Sequence, residues 1–330
     1  MNGVGNKKRW LGVFILMKQL FLSVFFAVVV VFLAGSCKKF DGDITVPAYL
    51  HLDSLAVVQQ AAGAPSTDAG WYTSDIESVQ LVAYFAGDGA ETNLGTFQLP
   101  CNVPVLRYGP IDYLRVVPVV KQNGIAQTRI QYPYYTDTTL RGLTLTQGAT
   151  TYVGQHDAAA NRYWLPIYYK SLSYIKQLVY EPFEPLATSI VFDTSIAGVQ
   201  WIDDDQTGAR TGSGYLKVST PAESNHVNFA INQKFTVSDP TKIIYLEMDY
   251  RTDVHLQIGM TSAYTGGGAE STTWAMTLYP RSEWGKIYIN LGKVWSQFNH
   301  HEEFSVVFAT LNTSGQGGDT YIDNLKIITI

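Results

Sequence analysis

Apolar and polar residues alternate with a period of two along much of the chain after residue 46, and this alternation predicts β-strands. The clearest examples lie in the C-terminal half, at residues 227–231, 243–251 and 254–260. About nine such segments follow residue 189, and none carries the 3.6-residue period of a long helix. Their number and length suit a jelly roll. We therefore predict an all-β protein whose last domain, residues 189–330, is a jelly-roll sandwich.

The N-terminal half has the same alternation, broken by turn signals. Strand-like runs at 76–85 and 113–120 are followed by the turn sequences Gly87-Asp88-Gly89 and Gln122-Asn123-Gly124. Short strands at this spacing favour a sandwich. We interpret residues 47–180 as an immunoglobulin-like β-sandwich with its connection to the next domain.

Residues 181–188 are predicted to be a linker between the two sandwiches. This stretch contains Pro182 and Pro185 together with Glu181 and Glu184. Proline cannot donate to a strand ladder, so a regular sheet is not expected here.

The pattern before residue 47 is different. An apolar run at 20–34 follows Lys18 and ends in the small residues of Ala34-Gly35-Ser36, directly before Cys37. The run is too short to be an ideal membrane span, but it suits a signal peptide. Small residues before a cysteine resemble the lipobox of bacterial lipoproteins. This resemblance implies cleavage after residue 36, lipidation of Cys37 and a short tether over 37–46.

Two alternatives for this region stay open. Only Lys18 interrupts an apolar stretch from 10 to 34, so an uncleaved transmembrane anchor is conceivable. Met17 is an alternative start, which would leave a signal peptide of ordinary length.

Charge and cysteine content narrow the possible functions. Four of the 23 basic residues precede Cys37 and no acid does, so the mature chain has 19 basic and 28 acidic residues and a charge near −9. This balance argues against nucleic acid as a partner, which calls for a basic patch. It also argues against electrostatic docking on anionic lipid. With Cys37 lipidated, Cys101 alone remains, so no internal disulfide is expected.

Three segments of the C-terminal block resemble the galactose-binding-like jelly rolls of carbohydrate-binding modules: TGSGYLKV at 211–218, YLEMDYR at 245–251 and YIDNLKI at 321–327. The chain as a whole resembles cell-envelope lipoproteins of Bacteroidota, through VPAYLHL at 46–52 and the stretch 106–135. The resemblance implies an extracytoplasmic protein in the outer membrane, facing either the periplasm or the outside. It names no ligand.

Several residues of the jelly roll are candidates for a glycan site. Exposed aromatic rings offer apolar faces on which sugars stack, and polar side chains can bond their hydroxyls. The alternative for most of the aromatics is packing in the core or at the edge of the sandwich. The candidates are Trp274, Trp284 and further aromatics such as Tyr279, with Arg251, His255 and Gln257 beside them.

A structural calcium ion is a possible cofactor. Asp203, Asp205 and Thr207 fall at alternate oxygen-ligand positions, and Gly208 allows a sharp turn. The twelfth position is Gly214 and not glutamate, so a complete EF-type loop is absent; the alternative is a solvated acidic loop. The jelly-roll resemblance implies Asp323 as a further ligand. The alternative there is capping of nearby backbone amides.

Glu247 and Asp249 are the carboxylates that could serve catalysis. They alternate with apolar residues and share one strand face with Arg251. Paired carboxylates can hydrolyse glycosides. Same-face neighbours beside an arginine are more typical of a polar sheet face, and the chain contains no G-x-S-x-G, H-E-x-x-H, Walker A or G-x-G-x-x-G motif. No catalytic residue is therefore assigned.

The sequence favours a non-enzymatic envelope protein that meets the membrane through its lipid anchor and binds a glycan through its jelly roll. In one alternative the same architecture is a structural or assembly protein that binds another envelope protein, for example by strand addition to an exposed edge of the first domain. A carbohydrate-active hydrolase is a third possibility.

Overall fold

The computed structural model of the protein describes residues 45–60, 66–185, 190–237, 243–264, 269–298 and 301–330. The predicted signal peptide and Cys37 lie outside these residues. The regular secondary structure of the described residues is almost entirely β-strand, which confirms the all-β prediction. Within it, no helix is both long and apolar enough to cross a membrane. Pro47–Ile330 form one compact unit.

The N-terminal part of this unit contains twelve strands in the described residues. Their bounds are β1 Ala48–Leu52, β2 Ser54–Val57, β3 Ser78–Phe85, β4 Thr92–Gln98, β5 Cys101–Val105, β6 Gly109–Lys121, β7 Arg129–Gln131, β8 Thr138–Leu140, β9 Leu143–Leu145, β10 Thr150–Tyr152, β11 Gln155–Asp157 and β12 Arg162–Ile167. A short 3-10 helix, Ala69–Tyr72, precedes β3.

These strands form three sheets around one apolar core. The largest has the order β4-β3-β6-β7, with β8 and β9 also paired to β6, and the smaller ones have the orders β10-β1-β5 and β11-β12-β2. Alternation explains the packing: Ala48, Leu50 and Leu52 of β1 are at most 1% exposed, and the residues between them are half-buried. The immunoglobulin-like assignment of this part stays a prediction.

The C-terminal part is a two-sheet jelly-roll sandwich. Its elements are β13 Lys176–Glu181, β14 Val199–Ile202, β15 Tyr215–Thr220, β16 His226–Ala230, β17 Ile244–Thr252, β18 His255–Tyr264, β19 Ser271–Leu278, β20 Arg281–Asn290, α1 Gly292–Trp295, β21 His301–Leu311 and β22 Gly318–Thr329. One sheet has the order β14-β15-β22-β17-β20, with β13 also paired to β22, and the other has the order β16-β21-β18-β19. Leu246, Met248, Ile258 and Phe308 are fully buried between them.

Strand β13 links the two parts. It pairs antiparallel with β22 of the jelly roll, although the sequence pattern grouped residues 176–180 with the first sandwich. Val179 packs in the jelly-roll core, whereas Tyr180 packs against the N-terminal core. Because alternate residues of this strand serve two cores, hydrophobic alternation does not reveal which sheet it joins.

The N-terminal sandwich covers the outer face of the jelly-roll sheet that contains β17, β20 and β22. Tyr245, Tyr288 and Ile328 of that sheet belong to the N-terminal apolar core. Strands β17, β20 and β22 are therefore covered on both faces over part of their length. Charged residues on the covered outer face are buried as a result.

Candidate functional site

The outer face of the four-stranded jelly-roll sheet carries Trp274, an exposed aromatic candidate that lines a groove. Strand β18 alternates, with Leu256, Ile258 and Met260 in the core, so Gln257 and Gly259 lie on the opposite face. Residues paired across strands share a face. A row therefore runs from Ala230 through Val307 and Gly259 to Trp274.

Trp274 is 40% exposed and lies against Gly259. A Cβ atom added at Gly259 would come within 2.9 Å of Cε3 of Trp274 and within 2.5 Å of the Thr273 carbonyl oxygen. Only glycine leaves room for the indole here. The indole therefore packs directly against the backbone at Gly259 and remains partly exposed to solvent.

A groove of about 310 Å³ lies beside this ring. Its lining includes Ile196, Asn228, Ala230, Thr272 and Val307, together with Trp274. Small and apolar residues form the floor, and Asn228 and Thr272 bring polar groups. All of the lining side chains are uncharged.

Two more candidates lie farther along the same sheet face. Gln257 is half-buried and pairs with Ala309, in the next row from Trp274. His255 contacts the ring of Tyr279 at 5.1 Å between centroids, and its Nδ1 lies 3.1 Å from Oγ1 of Thr313. Tyr279 is 75% exposed. Four residues along a strand separate His255 from Gly259, a distance of about 13 Å.

The other two glycan candidates, Arg251 on β17 and Trp284 on β20, lie on the other jelly-roll sheet and not at the groove. The Arg251 guanidinium is 5.3 Å from the Trp284 ring centroid and 4.2 Å from that of Tyr321. Arg251 Nη2 and Trp284 Nε1 both donate to the carbonyl of Gly208, at 3.3 and 3.1 Å. The structure thus divides the five predicted residues into two groups on different sheets.

The acidic loop at 203–208 is held by hydrogen bonds to the carboxylate of Asp205. Oδ1 of Asp205 accepts from the backbone N–H groups of Thr207 and Gly208 and from the Thr207 hydroxyl, and Oδ2 accepts from the hydroxyl of Tyr215. These bonds, led by that of the Thr207 hydroxyl, lower the pKa of Asp205. Asp203 is exposed.

Asp323 is fully buried, and its carboxylate caps backbone amides. Oδ2 accepts from the N–H groups of Arg210 and Thr211, and Oδ1 from that of Asn324. Among the described residues, no three His, Cys, Asp or Glu side chains are grouped as metal ligands would be. A structural calcium at Asp203, Asp205, Thr207 or Asp323 stays a prediction.

Glu247 and Asp249 do share one face of β17, as the alternation predicts, but this face is buried under the N-terminal sandwich. Both residues are 0% exposed. Hydroxyls of Tyr132 and Tyr169 donate to Glu247 at 2.7 and 2.8 Å. The sequence suggested a polar sheet face here and gave no sign that a second sandwich covers it.

Two buried lysines balance the carboxylates. Nζ of Lys326 lies 3.3 Å and Nζ of Lys286 lies 3.5 Å from Oε2 of Glu247, and Lys286 is also 3.8 Å from Asp249. Burial alone would raise the pKa of Glu247, but the lysines and the two tyrosine hydroxyls outweigh burial and lower it. Thr73 of the N-terminal part donates to Asp249 at 2.6 Å, so the network spans both sandwiches.

Sequence reasoning missed the groove floor. Ala230, Val307 and Gly259 carry no chemistry of their own, and they matter because strand register places them side by side. The available signal was Gly259 within an otherwise β-branched and apolar strand, since such a glycine often marks close approach of another group.

No protein-family model and no curated protein matches the chain. Among solved structures, it is similar to a family 30 carbohydrate-binding module at 14% identity and a TM-score of 0.34, over 46% of this chain and 86% of that one. It is also similar to the family 11 module of Clostridium thermocellum in complex with a β-1,3-1,4-mixed-linked tetrasaccharide (12% identity, TM-score 0.33, 46% and 94% covered). A third similar structure is TmCBM61 in complex with β-1,4-galactotriose (14%, 0.27, 41% and 83%). With TM-scores this low, nothing about the ligand of this chain follows from the likeness.

Proposed function

We propose that this chain is a non-enzymatic envelope protein, held in the outer membrane by lipid on Cys37, whose jelly roll binds a glycan in the groove beside Trp274. The observation that carries the glycan proposal is the exposed indole seated on Gly259 next to a groove of about 310 Å³. The lipid anchor is supported by the order of charge, apolar run, small residues and cysteine at residues 7–37.

The chemistry of the groove favours a neutral glycan. A pyranose ring has an apolar C–H face that packs on an aromatic ring, and Trp274 offers such a surface. Asn228 and Thr272 in the lining, and Gln257 in the neighbouring row, offer amide and hydroxyl groups to the sugar hydroxyls. Because the lining side chains are uncharged and the mature chain is acidic, an anionic sugar would find no partner there.

Burial of the paired carboxylates supports a non-enzymatic role. Glu247 and Asp249 are closed off from solvent and paired with lysines. A general acid or nucleophile must reach the glycosidic bond. These two residues instead help to hold the sandwiches together.

The test is a glycan-array screen of residues 38–330, which contain the whole compact unit, with and without calcium. We expect reproducible binding to one class of neutral glycan, lost in Trp274→Ala and retained in the matched control Trp284→Ala. Loss in the control alone would move the site to the other sheet.

A blank array with folded protein would contradict the glycan proposal and favour a protein partner. The exposed edge strand β4, which ends the described order of its sheet, would be the place for such a partner to add a strand. The lipid anchor is tested separately: the full chain should incorporate labelled fatty acid in a bacterial host, and Cys37→Ala should not.

A further inference from the structure

The turn between β5 and β6 exposes apolar surface at one end of the N-terminal sandwich. Leu106 is 69% exposed and Tyr108 is 37% exposed, with Arg107 between them. We name residues 106–108 the 106–108 tip. The tip therefore exposes a leucine and a tyrosine on either side of a basic residue.

The tip lies where the chain leaves the proposed lipid anchor. Ala48, the first residue of β1, pairs with Val105, directly before Leu106. Nine residues, 38–46, separate Cys37 from Pro47. A fully extended stretch of that length reaches at most about 30 Å, so a lipidated Cys37 would keep this end of the sandwich near the bilayer.

The jelly roll is attached at the other end. Strand β6 begins at Gly109, beside the tip, and its 13 residues extend about 40 Å to Lys121. Asn123, just beyond, donates its backbone N–H to the Tyr288 carbonyl of the jelly roll at 2.8 Å. The N-terminal sandwich therefore separates the tip from this contact by the length of its longest strand.

The chemistry of the tip suits a lipid surface. Leucine can enter the boundary between headgroups and acyl chains, and tyrosine is enriched at membrane interfaces. Arginine can lay its apolar stem along a surface and keep its charge in water. Asp88 of the adjacent turn forms an ion pair with Arg107, so its charge is balanced beside the tip.

We propose that the 106–108 tip rests on the bilayer surface and directs the jelly roll, with its groove, away from the membrane. This inference rests on the proposed lipid anchor at Cys37. The occupant of the tip is the phospholipid surface itself.

The test uses the full mature lipoprotein in phosphatidylcholine vesicles, some containing a spin-labelled phosphatidylcholine that quenches fluorescence. A fluorophore is attached at Leu106→Cys, in a Cys101→Ala background. The matched control is Leu172→Cys. Leu172 is 54% exposed and follows β12, which runs parallel to β2, so it lies beyond the end of β2 that is away from β1.

We expect the probe at position 106 to lose most of its fluorescence in quencher-containing vesicles and the probe at 172 to lose little. Vesicle flotation, measured on the same samples, reports the anchor. Protein that fails to float would overturn the lipid anchor and this inference with it. Protein that floats with position 106 unquenched would overturn the inference alone. Shielding of position 106 without lipid would point to a second copy of the chain, and would also overturn it.

Discussion

Replacing Glu247 by glutamine tests how the two sandwiches are held together. The substitution keeps the size and one hydrogen-bond acceptor of the side chain but removes its charge. It leaves Lys326 and Lys286, both 0% exposed at their side chains, with Asp249 as the one remaining buried carboxylate of the network.

The expected loss is large. At the 3.3 Å separation of Lys326 Nζ and Glu247 Oε2, and with an effective dielectric constant of 20, the Coulomb attraction is about 5 kcal/mol. Breaking a buried pair by removing one partner typically costs about 3–5 kcal/mol when an uncompensated charge remains. Burial lowers the pKa of Lys326 to about 7, so this lysine can release its proton once Glu247 is neutral. We expect Glu247→Gln to lower the free energy of unfolding of residues 38–330 by up to that amount. The double variant Glu247→Gln/Lys326→Met removes one charge of each sign and should lose less.

The assay is urea unfolding followed by tryptophan fluorescence and circular dichroism, whose transitions must coincide for a two-state analysis. Glu223→Gln, at an exposed site, is the control and should stay within about 0.5 kcal/mol of the wild type. A loss below about 1 kcal/mol in Glu247→Gln, or a double variant less stable than the single one, would refute the reasoning.

Three further predictions concern the groove and the acidic residues. Gly259→Ala places a Cβ 2.5 Å from the Thr273 carbonyl oxygen, so we expect a loss of about 1–3 kcal/mol in urea unfolding and weaker glycan binding as Trp274 shifts; unchanged binding would contradict the support role of Gly259. Burial raises the pKa of Asp323 to about 8. Between pH 4 and 8 the folded state keeps this proton, whereas the unfolded chain has released it. The stability contributed by the protonated carboxyl of Asp323 is therefore fully present below pH 4 and lost as the pH rises to 8. Asp323→Asn should reduce the change of the urea midpoint with pH between pH 4 and 8. An unaltered pH dependence would contradict the role of Asp323 in it. Asp205→Asn removes the charged acceptor of the Tyr215 hydroxyl, and should lower the unfolding free energy equally with calcium and with chelator; a calcium-dependent difference would instead support the predicted calcium loop.

The alternation of single strands was readable from sequence, but their covering was not. The pattern at 243–251 correctly placed Glu247 and Asp249 opposite Leu246 and Met248. It suggested a polar face because a single strand does not show what packs on it from a distant segment. Tyr132 and Tyr169, more than 70 residues away in sequence, close this face.

The candidate site was readable in part for a related reason. Trp274, Gln257 and His255 share a sheet face because β18 and β19 are neighbours in sequence and form a hairpin-like pair. Arg251 and Trp284 come from strands of the other sheet, and the order of strands in a jelly roll separates residues that the sequence places close together.

The most direct test of the glycan site is fluorine NMR of residues 38–330 containing 5-fluorotryptophan, titrated with a glycan selected on the array. The resonance missing from Trp274→Phe identifies Trp274. We predict that the glycan shifts this resonance and leaves that of Trp284 in place. A shift confined to Trp284, or no shift at any tryptophan, would contradict binding at the groove.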